Sequence, residues 1–157
     1  MSSYQGLVAA GTVSRAVNSV IETVCSGATA SPKAGTVAKV ELLNGVSILT
    51  TTKAGDTADV FYGIVTMSTG LQFDKTSGFG LPNMAHSVLV DGYINVKCAA
   101  NTPIRGRKVY VNPLNGEFSA AATLPETAPV GTVEWPQAKW ATDGVGPNGL
   151  GEIRLAK

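Results

Sequence analysis

The sequence predicts an all-β protein, a compact β-sandwich or small β-barrel with an extended N-terminal arm and long loops. Three observations predict it. Apolar residues recur at period two in several short runs, as half-buried strands require. Gly, Pro, Asn and Asp clusters punctuate those runs. The one helix-like spacing, Val13, Val17, Val20, Ile21 and Val24, falls among Val, Thr, Ser and Asn, all mediocre helix formers, so that segment is read as extended.

In chain order, residues 1–35 are an arm and linker, and residues 36–157 are the β body. The linker is the small, flexible run from Cys25 to Gly35. Val37 to Leu43 and Val46 to Thr52 flank Asn44-Gly45, a dipeptide suited to the type I′ turn of a hairpin. Val60 to Val65 is β-branched and aromatic and reads as a buried strand. Residues 66–86 read as a polar loop. Ser87 to Val90 and Tyr93 to Cys98 are strands, with Asp91-Gly92 between them as a hairpin turn or a bulge. Val109 to Val111 and Glu117 to Ser119 form a hairpin around Pro113 and Gly116. Residues 123–149, with Pro125, Pro129, Pro136 and Pro147, read as another long loop. Glu152 to Leu155 closes the chain as a strand with Ile153 and Leu155 inward.

The chain has 157 residues, enough for one domain with its own core and no need of metal or disulfide. Charged residues make up 15% of it and the net charge is +1, which argues against a generic nucleic-acid or anionic-membrane binder. A surface so poor in charge suits contact with another protein. No apolar stretch approaches the roughly 18 residues of a membrane span, and the start has neither a basic nor an apolar signal region. Cys25 and Cys98 are then expected as free thiols.

Catalytic and metal chemistry find little support. His86 is the single histidine, expected at a surface or strand edge, and no geometry brings Ser87 and Asp91 to it. The carboxylates sit in turn contexts. Asp143, Asn148 and Glu152 lack the order of a calcium loop. Gly144-Val145-Gly146-Pro147-Asn148-Gly149 matches a phosphate-loop spacing but is interrupted by proline and has no helix after it. Arg105-Gly106-Arg107-Lys108 reads as a solvated turn. Trp135 and Trp140 are either sugar-stacking groups or pins over a core or interface. No cofactor and no catalytic residue is expected.

The chain resembles the structural cement, or decoration, proteins of tailed bacteriophages. The residues that carry this are Tyr4-Gln5-Gly6, Gly11 to Arg15, Ala54-Gly55-Asp56, Val60 to Val65, Val90 to Val96, Arg105-Gly106 before Lys108 to Val111, and Asn115 to Phe118. Trp140 and Gly151 to Leu155 complete the pattern, and residues 123–139 add nothing to it. The resemblance implies a non-enzymatic protein on the outer capsid surface of the virion, made in the host cytoplasm. It implies the major capsid protein as partner, a homotrimer, and no nucleic-acid or membrane partner. The expected coat or subunit contacts lie on the arm: Tyr4, Gln5, Val13, Arg15, Val17, Val20 and Ile21. Tyr and Arg are frequent hot spots, and the aliphatic residues carry too much apolar surface to be left in water. The rival reading is a carbohydrate- or receptor-binding β module of a phage tail or spike, with Trp135 and Trp140 at its site.

Overall fold

The computed structural model describes residues 10–29, 31–67, 73–122, 126–146 and 149–156. They form strands β1 (Val13–Ser26), β2 (Val37–Leu43), β3 (Val46–Thr50), β4 (Phe61–Val65) and β5 (Ala85–Lys97). Strands β6 (Lys108–Asn112), β7 (Glu117–Ser119), β8 (Val133–Trp140) and β9 (Leu150–Leu155) follow. A single 3-10 turn, Ala58–Val60, precedes β4. The protein is all-β, as the period-two pattern predicts.

The strands hydrogen-bond in the order β1-β3-β2-β4-β5-β9-β8-β6-β7, and β1 also pairs with β5. That extra pairing closes β1 to β5 into a five-stranded barrel, from which β9, β8, β6 and β7 extend. Among the described strands, every ladder is antiparallel except that of β1 with β3.

Two cores follow from alternation along the strands. Val24, Ala38, Leu49, Val65, Val88 and Val90 form one cluster, drawn only from the five barrel strands, and fill its interior. Val37, Ile64 and Leu89, each one residue out of phase, point the other way. There they meet Val109, Val111, Phe118, Trp135, Trp140, Ile153 and Leu155 of the extension. Trp135 stacks on Phe118 with ring centroids 6.3 Å apart and meets Phe61 edge-on at 5.7 Å. The barrel wall is thus buried on both sides, which explains the near-continuous apolar run of β4.

β5 serves both layers. Val88 and Val90 face the barrel interior, whereas Ile94 and Val96 face the second core. The change of phase falls at Gly92, whose φ of 136° an L side chain rarely adopts. Opposite it the β1 register slips between Arg15 and Val20 and again between Val20 and Ile21. Of the two expectations for Asp91-Gly92, the bulge is the one observed; the chain runs on as a single 13-residue strand. At Gly63 the reason for glycine is space: a Cβ there would lie 2.4 Å from the Leu89 carbonyl oxygen.

The hairpin β2–β3 turns at Asn44-Gly45 with both residues at positive φ, and β6–β7 turns through Gly116. Three expectations need correction. Residues 123–149 are not one loop, because β8 lies within them. Pro136 is tolerated there because it falls at a register shift between β8 and β6, with Lys108 opposite Lys139 and Tyr110 opposite Glu134, where the ladder is already broken. His86 is buried rather than superficial; its Nε2 lies 3.1 Å from the Leu81 carbonyl oxygen and its ring 5.4 Å from Phe73. The run read as a flexible linker is tied down, with Ser31 and Gly80 exchanging backbone hydrogen bonds of 3.0 Å and the Gly35 amide donating to Val65 at 2.7 Å.

Candidate functional site

The expected contact residues sit on or before β1. Tyr4 and Gln5 lie outside the described residues, as does the side chain of Val17. The remaining four separate along the strand. Val13, opposite Ile94, is half-buried and packs on the second core. Arg15 stands opposite Tyr93. Val20 and Ile21 are 49% and 47% exposed. They pair with Asp91 and Leu89, so the strand slips past Val90 between them. Beyond the slip, Val24 turns into the barrel. The apolar set is therefore divided, with Val13 and Val24 holding the fold and Val20 and Ile21 facing outward.

Arg15 is fixed where it stands. Its Nη2 lies 2.9 Å and its Nε 3.3 Å from the Glu152 carboxylate, a two-pronged pair to a buried acid on β9. The Ser14 hydroxyl donates to the same carboxylate. The hydrogen bond to Glu152 holds the Arg15 guanidinium above its ordinary pKa. Its carbon also lies 4.0 Å from the centre of the Tyr93 ring, within cation–π range. Further along, the Tyr62 hydroxyl donates to Glu22, linking β4 to a strand that is not its neighbour, and this bond raises the phenol pKa.

A second exposed apolar group was not anticipated as a contact. The tip of the β2–β3 hairpin presents Leu42, 75% exposed, with Leu43 and Val46 also exposed. The sequence shows these residues only as strand formers. Among the described strands, β2 beyond Lys39 and β3 before Ile48 pair only with each other, which leaves the tip uncovered.

The remaining candidates are engaged elsewhere. Trp135 and Trp140 are each 1% exposed and build the core, so neither ring has a face free to stack on a sugar. Asp143 accepts the Arg105 amide at 2.9 Å while Glu152 is held by Arg15, so the acids of the imagined calcium loop serve separate structural bonds. Asn148 lies outside the described residues. Cys25 and Cys98 are free thiols, and burial pushes the Cys98 thiol pKa up, away from the reactive thiolate. Among the described residues, no group of three or more His, Cys, Asp or Glu is placed to hold a metal ion, and no helix is long and apolar enough to cross a membrane.

One solved structure shares the fold, and one family model matches the sequence. A chain of the solved structure "The capsid of Myoviridae Phage XM1" superposes with a TM-score of 0.69 at 16% identity, covering 96% of this chain and 91% of that one. The likeness shows a shared fold. Among curated proteins none matches. The model of the family described as structural cement protein (E217 gp24/Pam3 gp6) matches residues 1–156. A match over that span makes the chain a member of the phage structural cement protein family, with a capsid-decorating and stabilising role.

Proposed function

We propose that the protein attaches to the outer surface of an assembled capsid as a homotrimer and bridges neighbouring coat subunits, with the outward part of β1 among its contacts. The family match over residues 1–156 carries this reading. The low charge and the apolar groups exposed on β1 and at the β2–β3 tip support it, because large apolar side chains held in water mark contact surfaces. A protein that binds only the assembled shell stabilises the shell by mass action, and three linked copies raise one another's effective concentration. We read the chain as non-catalytic, acting by contact alone.

Tyr4, Gln5, Val13, Arg15, Val17, Val20 and Ile21 are the proposed arm contacts, with Val13 and Arg15 also serving the fold. We further propose that residues 36–157 form a body onto which residues 1–35 pair. In support, Val24 is the one buried hydrophobic core residue that the first 35 contribute among those described.

The deciding experiment is co-sedimentation of the purified chain with capsids that lack it, followed by reconstruction of the decorated particles. The expected result is saturable attachment, seen as external density of three joined copies. Failure to attach, or isolated single copies, would sink the corresponding part of the reading. A chain lacking residues 1–24 should remain β-rich with a lowered melting temperature, and should attach more weakly. If it cannot fold, the division into arm and body is wrong; if it attaches as the full chain does, the arm contacts are wrong.

A further inference from the structure

A row of residues in register crosses five strands and carries four cations. Lys108 on β6 stands opposite Lys139 on β8, and Lys139 opposite Arg154 on β9. Arg154 stands opposite Tyr93 on β5, and Tyr93 opposite Arg15 on β1. The flanking Val109, Ala138, Trp140, Ile153 and Leu155 point into the core, so by alternation the row points away from it.

Like charges directly opposite one another destabilise a sheet. In a chain with only 15% charged residues, such a row is not a by-product of a crowded charged surface. Its two ends are neutralised locally, Arg15 by Glu152 at 2.9 Å and Lys108 by Glu134 at 3.5 Å. Its middle is not. Among the described residues, Lys139 and Arg154 make no ion pair. The Tyr93 ring lies 5.9 Å from Arg154. The row borders an open groove of about 450 Å³ that Arg105, Pro136, Gln137 and Trp140 also line, and no Asp or Glu is among its described lining residues.

We propose that this groove docks an acidic segment of the coat protein, with carboxylates of that segment pairing with Lys139 and Arg154. The proposal rests on the capsid-attachment reading above and names the chemistry of the surface it meets. The charge complement argues for it: two cations held side by side without carboxylates repel in the free protein and are relieved only when an acid arrives. Arg154 offers a planar fork that takes a carboxylate through two hydrogen bonds. The exposed Pro136 ring gives the groove an apolar flank that sheds water from those pairs. Nucleic acid fits less well. Of the two aromatics among its described lining residues, Trp140 is buried and Tyr93 has Arg15 over its ring, so the groove offers no pair of free faces for stacking bases.

The test uses full-length chains and capsids that lack the protein. Lys139→Gln and Arg154→Gln should each weaken attachment about tenfold, as loss of one charge-assisted pair predicts, and together by more. Attachment of the wild-type chain should fall more steeply with salt than that of the double variant, and poly-L-glutamate should compete with it. The double variant should melt no lower than wild type, which separates a lost contact from a damaged fold. Attachment of the double variant at wild-type affinity and salt dependence overturns the groove while leaving capsid attachment standing. Failure of the wild-type chain to attach removes the capsid reading and the coat occupant with it. If wild type binds a short DNA duplex, the double variant does not, and capsid attachment is equal for both, the groove is a nucleic-acid site and the proposal is overturned.

Discussion

Lys39 and Lys139 both lie within strands, yet their surroundings are opposite. Lys39 on β2 is buried, with Asp56 and Glu41 each 3.2 Å from its ammonium. Burial works to lower its pKa, but hydrogen bonds to the two carboxylates outweigh that and leave it raised. Lys139 on β8 has Lys108 on one side and Arg154 on the other, and no carboxylate partner among the described residues. A charge taken into the fold must be compensated within it, because desolvation of an unpaired ion costs several kcal/mol. A charge left beside like charges on an open face is compensated by water, until a partner supplies the counter-charge. The contrast sorts the charged residues into those that hold the barrel together and those left available to a partner.

The inner face of β8 sets the scale of what the fold cannot lose. Trp135→Ala removes the ring between Phe61 and Phe118 and should destabilise by about 3–5 kcal/mol, a fall in melting temperature of roughly 10 °C for a chain of this size. Calorimetry checks it; a fall of only about 2 °C would show that the second core is not the main stabilising unit.

The next effect breaks the compensated side of the comparison. Asp56 accepts the Lys53 amide at 2.9 Å and the Lys39 ammonium at 3.2 Å, and the backbone bond first, then burial opposing it, then Lys39, together leave its pKa lowered. A carboxyl whose folded pKa lies below its unfolded value near 3.9 contributes stability above that pH and loses it as the pH falls through the folded pKa. The wild-type chain should therefore lose stability on acidification below about pH 4. Asp56→Asn should cost about 1–3 kcal/mol at neutral pH and flatten that acid limb. Denaturant midpoints at pH 7 and pH 3 test both halves. An unchanged acid limb in the variant would show that other carboxylates set it.

How far the sequence announced this arrangement depends on whether the determining contacts are local. The Asn44-Gly45 turn, the hairpin around Gly116 and the inward Ile153 and Leu155 are local matters of backbone preference and alternation, and all three were legible. β8 was not, because Pro136 and Gln137 are both exposed and interrupt the alternation at the register shift. The burial of His86 depends on Phe73 and Leu81 folding over it, which no short window contains. Of the cation row, the sequence shows Lys108 as part of a solvated turn with Arg105 and Arg107, and Arg15 as one of seven arm contacts. The row exists only once five strands are in register, and the outward phase of Lys139 was hidden along with β8.

The smallest effect is the most diagnostic of the comparison, because its sign is opposite to the others. If Lys139 and Arg154 repel across the β8–β9 ladder, neutralising either one removes a cost. Lys139→Gln and Arg154→Gln should then each leave the free protein as stable as wild type or more stable by a few tenths of a kcal/mol, within the roughly 0.2–1 kcal/mol range of a cross-strand pair. The two gains should not add, because either change alone abolishes the same repulsion, so a double-mutant cycle should return a repulsive coupling energy. Salt should shrink that coupling, since both side chains border open solvent and the Debye length falls to about 3 Å at 1 M. An attractive or zero coupling at low salt would mean that the stems of Lys139 and Arg154 pack favourably enough to offset their charges. The outer face would then differ from the surroundings of Lys39 in solvent exposure and not in stored repulsion.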